Sequence, residues 1–253
     1  MSGANASPTG RSRMMSGVFF AAGEVLFVFA GVVAFIWRLQ FTFPDFAIIL
    51  LVFIVATFFV HRDRISDLGF GSRGLVGGMK ALALPTTLIA VVLIFARVPD
   101  GFISIDKLSG LGKYFAWCLL QQFALQSFFA NRLLLIMKDP RRAAWMNAAI
   151  FAAVHIPNPV LMPVTFFGGY VLTRVFFSTR NLVPLALSQA IIGSLLSVAL
   201  PVAWHHGLRV GPGFYRASPS KSRSHTARRQ SPTSPNAGRH CGRCGPASRA
   251  FRT

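Results

Sequence analysis

Three glutamines lie close together in an apolar stretch of roughly membrane-spanning length. They are Gln121, Gln122 and Gln126, and most of the residues around them are apolar. An amide inside hydrocarbon is costly unless it hydrogen-bonds to another polar group or faces a polar cavity. Because Gln122 and Gln126 are four residues apart, they share one face of a helix, with Gln121 beside them. The spacing predicts a polar stripe at membrane depth.

Two further apolar segments bring polar residues to the same depth. One carries Phe151 and His155, which are four residues apart, and the other carries Gln189 and Gly193. Histidine is the side chain best suited to gain and lose a proton near neutral pH, and neighbouring amides could orient it. Two interpretations stay open for the set. The polar groups either hold the bundle together by interhelical hydrogen bonds or line a functional cavity.

Glu24, the only glutamate of the chain, lies in the first apolar segment. A carboxylate at membrane depth is a functional candidate by default. Glu24 and His155 could form the proton relay of a small transporter, provided that both reach a common water path. Arg132, near the end of the glutamine-bearing segment, is expected to extend its guanidinium to the membrane interface.

The composition is typical of a membrane protein that crosses the bilayer several times. Of 253 residues, 53% are hydrophobic and only 13% are charged, whereas about 25% are charged in a soluble domain. A spanning helix needs about 20 apolar residues. The candidate segments are 18–37, 45–60, 75–96, 114–137, 143–155, 160–177 and 182–204. We therefore predict an all-α, polytopic integral membrane helix bundle of seven to eight spans over residues 18–206, after a flexible segment 1–17.

Basic residues are concentrated in loops and at the carboxyl end. Ten of the 26 Lys and Arg lie between Arg209 and Arg252, and no acidic residue follows Asp139. Residues 207–253 are rich in Ser, Pro and Arg, which predicts a disordered tail. Its charge favours membrane lipid and predicts no specific nucleic acid. Loop charges predict a multi-pass cell-membrane protein with a cytoplasmic amino terminus. Seven spans would place the basic tail outside, so either one segment does not cross or the last segment folds back.

The order of the motifs resembles that of the CPBP family of intramembrane endopeptidases, also called the CAAX-protease and bacteriocin-processing family. Its members are helical membrane proteins with Glu-Glu-x-x-x-Arg on one helix, Phe-x-x-x-His on the next and His-x-x-x-Asn or Asp later. Phe151 and His155 match the second motif. The remaining positions align with the first and third motifs: Gln121, Gln122, Gln126, Gln189 and Gly193. The segment 67–70 after the second span also resembles a family feature, and the resemblance covers about residues 45–206.

The resemblance implies an endopeptidase homologue, but glutamine changes the chemistry of the aligned catalytic positions. In the family, glutamates and histidines are thought to activate a water, by a glutamic or a metal-bound mechanism. A glutamine amide is no useful base and a poor zinc ligand. If the chain cleaves peptides, His155 would be the base, Gln121 and Gln122 would hold the water, and Gln126 or Gln189 would stabilise the oxyanion.

Several alternatives therefore remain for the function. The chain is an unusual or inactive endopeptidase homologue, a non-catalytic protein that binds a membrane protein or peptide, or the transporter described above. We expect no cofactor and no metal. Zinc is possible in the family, but this chain offers only His155 at the aligned positions. The pair Cys241 and Cys244 has half the spacing of a zinc ribbon and no second pair.

Overall fold

The computed structural model describes residues 8–72, 74–97 and 110–215. Within these ranges the chain is helical, apart from turns, short connections and one antiparallel β-bridge between Phe70 and Asn181. The predicted all-α class is confirmed. Most of the predicted basic tail, residues 216–253, lies outside the described residues.

The helices follow the apolar segments of the sequence. In chain order they are α1 (Pro8–Ala34), a π-helical turn (Phe35–Leu39), α2 (Gln40–Thr42), α3 (Phe46–His61), α4 (Leu75–Arg97), α5 (Leu111–Gln122), a π-helix (Phe123–Ala130), α6 (Asn131–Met137), α7 (Pro140–Ala153), α8 (Leu161–Thr179), α9 (Val183–Ala199), α10 (Val202–His205), a 3-10 turn (His206–Leu208) and α11 (Pro212–Tyr215).

Several of these helices suit a bilayer. Among the described residues, three stretches are long and apolar enough to cross a membrane, Gly17–Thr42, Leu75–Ala96 and Leu161–Thr179. The apolar helices Phe46–His61 and Val183–Ala199 are shorter. Large apolar side chains such as Phe59 and Phe95 are exposed on their surfaces, which would be unfavourable in water. The molecule is a membrane helix bundle.

The start of α7 is fixed by a local cap. Asp139 has an extended backbone and its Oδ1 accepts hydrogen bonds from the amides of Arg141 (2.7 Å) and Arg142 (3.5 Å). Pro140 occupies the first helical position, where its missing N–H costs nothing. Because α7 ends at Ala153, just before the Pro157-Asn-Pro159 turn, it is too short to span a bilayer alone.

Packing brings the middle of the chain together around α7, α8 and α9. Helix α7 packs mainly against α8, whereas α9 packs against α4 and α5, and α1 packs against α6. Gly169 of α8 lets the backbones of α7 and α8 approach, since a Cβ there would lie 3.4 Å from the Ala148 Cα and 3.1 Å from Phe151. The buried face of α7 thereby meets α8 and the π-helix.

The loop that resembles a family feature is held by backbone and side-chain hydrogen bonds. The Ser127 hydroxyl donates to the Leu68 carbonyl (2.6 Å), and the Asn131 amide donates to the Asp67 carbonyl (3.1 Å). Gly69 has φ = +90°, a conformation that favours glycine, and its carbonyl accepts from the Leu182 amide (3.0 Å). The loop therefore connects α6 to the turn between α8 and α9.

Two boundaries differ from the predicted domain limits. Helix α1 begins at Pro8, inside the segment 1–17 that was expected to be flexible. Residues 207–215, which the sequence assigned to the disordered tail, are instead ordered in this structure. The physical reason is a set of specific bonds: Asn158 donates to the carbonyls of His205 (2.8 Å) and Arg209 (3.0 Å), and the Gly211 amide donates to the Ile156 carbonyl (3.0 Å).

Candidate functional site

The predicted glutamines meet in one continuous chain of hydrogen bonds. Gln126 Nε2 donates to Gln122 Oε1 (3.0 Å), Gln122 Nε2 donates to Gln189 Oε1 (2.6 Å), and Gln189 Nε2 donates to Gln121 Oε1 (2.8 Å). Asn147 of α7 extends it, because its Nδ2 donates to Gln126 Oε1 (3.4 Å). We call these five residues the amide chain. It joins α5, the π-helix, α7 and α9.

Every hydrogen bond of the amide chain runs in the same direction. The Thr173 hydroxyl donates to the Gly169 carbonyl (2.7 Å), so it accepts from Asn147 Nδ2 (2.8 Å). This fixes the nitrogen of Asn147 toward Thr173 and Gln126, and its buried Oδ1 has no hydrogen-bond partner among the described residues. Aligned amides polarise one another and strengthen the chain. At the Asn147 end of the amide chain, the group left over is therefore a hydrogen-bond acceptor, the Oδ1 of Asn147.

The other end of the amide chain offers donors. Gln121 accepts through Oε1, and no hydrogen bond from its Nε2 is found within the part of the chain that the structure describes. Gln121 and Gln189 are half-buried, whereas Gln122, Gln126 and Asn147 are fully buried. An amide nitrogen carries two donors. The accessible end of the amide chain can thus donate to an incoming acceptor.

A π-helix positions these side chains within what the sequence predicted as one continuous span. The α-helical pattern changes at Phe123 and resumes at Asn131, so Gln121 and Gln122 end α5 while Gln126 lies in the wider π-helix. Such segments shift the helix register and frequently occur at functional sites. Gln122 and Gln126 nevertheless stay within hydrogen-bond distance, as their spacing predicted.

The structure places His155 just beyond the end of the helix that carries Asn147, and outside the amide chain. His155 is buried, its Nδ1 lies 2.6 Å from the Phe151 carbonyl, and its ring meets the Phe151 ring edge-on at 4.9 Å. No hydrogen bond links it to the glutamines in the described residues. The predicted site residues therefore form two groups, the four glutamines together and His155 one turn beyond Phe151.

Gly193 also lies where the sequence placed it, one turn after Gln189 on α9. Its missing side chain is compensated by Tyr114 of α5, whose hydroxyl, Cε1 and Cζ would all collide with a Cβ at position 193. The space that an asparagine or aspartate would need at the third motif is therefore filled by an aromatic ring.

Glu24 and Arg132 form a separate buried ion cluster, which corrects the expectation that Arg132 reaches the membrane interface. Arg132 is 2% exposed and Glu24 is 5% exposed. Arg132 Nε lies 3.0 Å from Glu24 Oε2, and its Nη2 lies 2.8 Å from Asp63 Oδ2. His61 Nε2 also approaches Glu24, at 3.1 Å. Pairing replaces the solvation that each charge loses on burial, which is why Arg132 turns inward.

This ion cluster bears on the proton relay that the sequence suggested. The polar contacts of Glu24 are with His61 and Arg132, while the contact of His155 is with the Phe151 carbonyl. Nothing in residues 8–72, 74–97 and 110–215 connects the two groups. Those residues also contain no cluster of three His, Cys, Asp or Glu that could hold a metal ion. Cys241 and Cys244 lie outside them.

Sequence reasoning missed Asn147, the acceptor end of the amide chain. Asn147, Phe151 and His155 follow one another at four-residue intervals, so they continue one face of α7. This spacing was visible in the sequence. What the sequence lacked was the position of Thr173 and Gln126, which meet Asn147 only when α7 packs between α8 and the π-helix.

The segment of the protein that contains the amide chain is similar to a known protein family. Residues 107–207 match the family described as type II CAAX prenyl endopeptidase Rce1-like. No curated protein and no solved structure matches the chain. The matched residues include α5, the π-helix and α6 to α9, and they contain every residue aligned with the three motifs. Residues 107–207 of this chain are therefore similar to the CPBP/CAAX protease family, as the order of the motifs predicted.

Proposed function

We propose that this CAAX-type protease homologue binds a peptide segment in the membrane without hydrolysing it by the chemistry of its family. The observation that carries the proposal is the directional amide chain, in which Gln121, Gln122, Gln126 and Gln189 stand at the positions aligned with the family's charged residues. Amides cannot take a proton from water at any working pH. The amide chain can orient a polar group, but its amides cannot activate a nucleophile.

Two features of the surroundings support a non-catalytic role. Gln122, Gln126 and Gln189 each donate one hydrogen bond and accept one within the amide chain, so their orientation is set by one another. Tyr114 fills the space beside Gly193 that the family's third motif would need for its second side chain. His155 remains as a lone imidazole, and losing one general base typically removes a factor of about 10² to 10⁴ in rate.

The accessible end of the amide chain suggests what is bound. Gln121 is half-buried, and its Nε2 stands at the end toward which the other amides donate. A backbone carbonyl or a terminal carboxylate of a peptide is the complementary acceptor. A hydrogen bond to such a group is worth more in hydrocarbon than in water, since the unpaired groups have no solvent to bind.

Cleavage is tested first. The full chain is reconstituted in liposomes with a mixture of peptides, including prenylated ones, and products are followed by mass spectrometry against an active CAAX endopeptidase as the positive control. We expect no time-dependent product from the wild type. Products that form with the wild type and vanish with His155→Ala would overturn the non-catalytic proposal and establish His155 as a base.

Binding is tested separately by photocrosslinking. Trp117 is exposed and lies one helical turn before Gln121 on α5, so a benzophenone amino acid at position 117 probes the accessible end of the amide chain. We expect peptide adducts that fall at least severalfold when Gln121→Leu is added. Equal adduct yields with and without the Gln121→Leu substitution would contradict the proposed donor role, because only the amide can donate.

A further inference from the structure

A second surface of the molecule combines an apolar groove with a basic rim. The groove has a volume of about 780 Å³ and lies at the junction of α6, α7 and α8. Its lining is apolar except for one arginine: Ile136, Met137, Arg142, Trp145, Met146, Ala149 and Phe166. It lies on the outward face of α7, opposite the face that carries Asn147 and Phe151, so it is independent of the amide chain.

The groove changes from basic to apolar along one helix face. Arg142, Trp145, Met146 and Ala149 follow at intervals of three, one and three residues, which places them on the same side of α7. Arg142 is at the end nearest the α6–α7 turn, and the three apolar residues follow it. Trp145 and Met146 are 44% and 43% exposed. The groove is therefore amphipathic along its length.

Aromatic residues indicate the depth of this groove in the membrane. Trp145 stacks on Tyr170 of α8 at 4.0 Å with an interplanar angle of 21°, and it lies 5.5 Å from the Phe166 ring. Trp and Tyr are enriched at the level of the lipid headgroups, where one side of the ring is apolar and the other is wet. This enrichment predicts that the Arg142 end of the groove lies at the level of the headgroups, with the rest of the groove beside the acyl chains.

The positive charge beside the groove favours an anionic ligand. The first residues of α7 contain two bases, Arg141 and Arg142, and Asp139 just before them is the only acid in segment 138–142. Asp139 Oδ1 caps the helix and its Oδ2 lies 3.6 Å from Arg142, so this one carboxylate cannot neutralise both arginines. The Arg142 side chain is 80% exposed. Another protein segment fits less well, because the carboxyl-terminal part of this chain is itself basic and a second copy would present the same basic rim.

We propose that this groove is a binding site for an anionic phospholipid, with an acyl chain along Trp145, Met146 and Ala149 and the phosphate at Arg141 and Arg142. The backbone amides at the start of α7 are occupied by Asp139, so the arginine side chains hold the phosphate. Basic residues beside an apolar groove between helices are a recurrent arrangement for anionic headgroups.

The test compares lipids and variants in the full chain. Binding of phosphatidylglycerol and phosphatidylcholine is measured by native mass spectrometry of the detergent-purified protein. We expect phosphatidylglycerol to bind at least tenfold more tightly, and Arg141→Gln with Arg142→Gln to remove about tenfold or more of that affinity. The matched control is Arg62→Gln with Arg64→Gln, which removes the same charge from two exposed arginines after α3.

The apolar part of the site is tested by filling the groove. Ala149→Trp keeps every charge and should reduce phosphatidylglycerol binding severalfold. Equal binding of the two lipids, or equal losses from the 141/142 and 62/64 variants, would show general surface electrostatics and overturn the proposal. No effect of Ala149→Trp would overturn the assignment to this groove. Thermal unfolding of each variant confirms that these exposed substitutions leave the fold intact.

Discussion

At the residue scale, the chemistry of this protein depends on replacing charge by amide while keeping hydrogen-bond capacity. Gln122 accepts one hydrogen bond and donates one, and so do Gln126 and Gln189. Each therefore bridges two neighbours without carrying a charge that would need solvation in the membrane. The same side chains can hold four helical segments together and present an ordered donor at Gln121.

The middle of the amide chain should matter more for stability than its end. Gln122→Leu leaves both the Gln126 donor and the Gln189 acceptor unpaired, at a cost of about 1–3 kcal/mol in the free energy of unfolding. Gln121→Leu frees only one group at the accessible end and should cost clearly less. Unfolding by steric trapping in bilayers measures both. A larger loss for Gln121→Leu would contradict the directional chain.

Arg132 should be the most sensitive charged residue of the described chain. Arg132→Met leaves the Glu24 carboxylate buried without its guanidinium partner, which costs about 3–5 kcal/mol when one member of a buried ion pair is removed. Adding Glu24→Gln removes the orphaned charge, so the double variant should recover most of the loss. The free energy of unfolding checks this cycle. A double variant no more stable than Arg132→Met would contradict the role of Glu24.

At the element scale, the contact between α5 and α9 explains why a glycine occupies position 193. A Cβ there would lie 3.0 Å from both Cε1 and Cζ of Tyr114, so the ring or the helices must move. Cys118, one turn after Tyr114 on α5, is fully buried against Ala186 and Ala190 of α9. Small residues on α9 thus allow a close approach of the two helices.

Gly193→Ala should destabilise the protein by about 1–3 kcal/mol through overpacking. The matched control is Gly168→Ala on α8, where an added Cβ meets nothing within 4 Å and the gain in helix propensity should stabilise slightly. Combining Gly193→Ala with Tyr114→Ala should cost less than the two single changes added together. Thermal unfolding of the four variants measures the coupling, and strictly additive losses would exclude the Tyr114 contact as the cause.

At the scale of the whole molecule, Asn158 connects the turn after α7 to residues 205–211, near the carboxyl end of the described residues. Its Oδ1 accepts from the Val160 and Leu161 amides at the start of α8, while its Nδ2 donates to the His205 and Arg209 carbonyls. One side chain therefore both starts α8 and holds residues 205–211 against the bundle.

Asn158→Asp should separate these two roles. The aspartate keeps the acceptor for Val160 and Leu161 but loses both donors, so the amides of residues 206–215 should exchange hydrogen about tenfold faster or more. Amides of α8 should remain protected. Hydrogen exchange followed by mass spectrometry resolves the two segments. Unchanged exchange in 206–215 would contradict the anchoring role of Asn158.

Several features of the fold and site could be predicted from the sequence because they depend on local patterns. Apolar segment length located the helices, and a spacing of four residues placed Gln122 with Gln126 and Phe151 with His155. The order of the motifs gave a resemblance to a family, and the match over residues 107–207 supports that resemblance. Pro157 and Pro159 are the local signals for the break after α7.

The tertiary structure decided which of these polar groups meet. Whether Gln189 pairs with Gln121 and Gln122, whether Arg132 turns toward Glu24 or toward lipid, and whether Tyr114 fills the space at Gly193 all depend on contacts between residues far apart in the chain. Hydrophobic periodicity sets which face of each helix is apolar, but not its neighbours. Helix packing chooses the partners, and at membrane depth those partners replace the water that each polar group has lost.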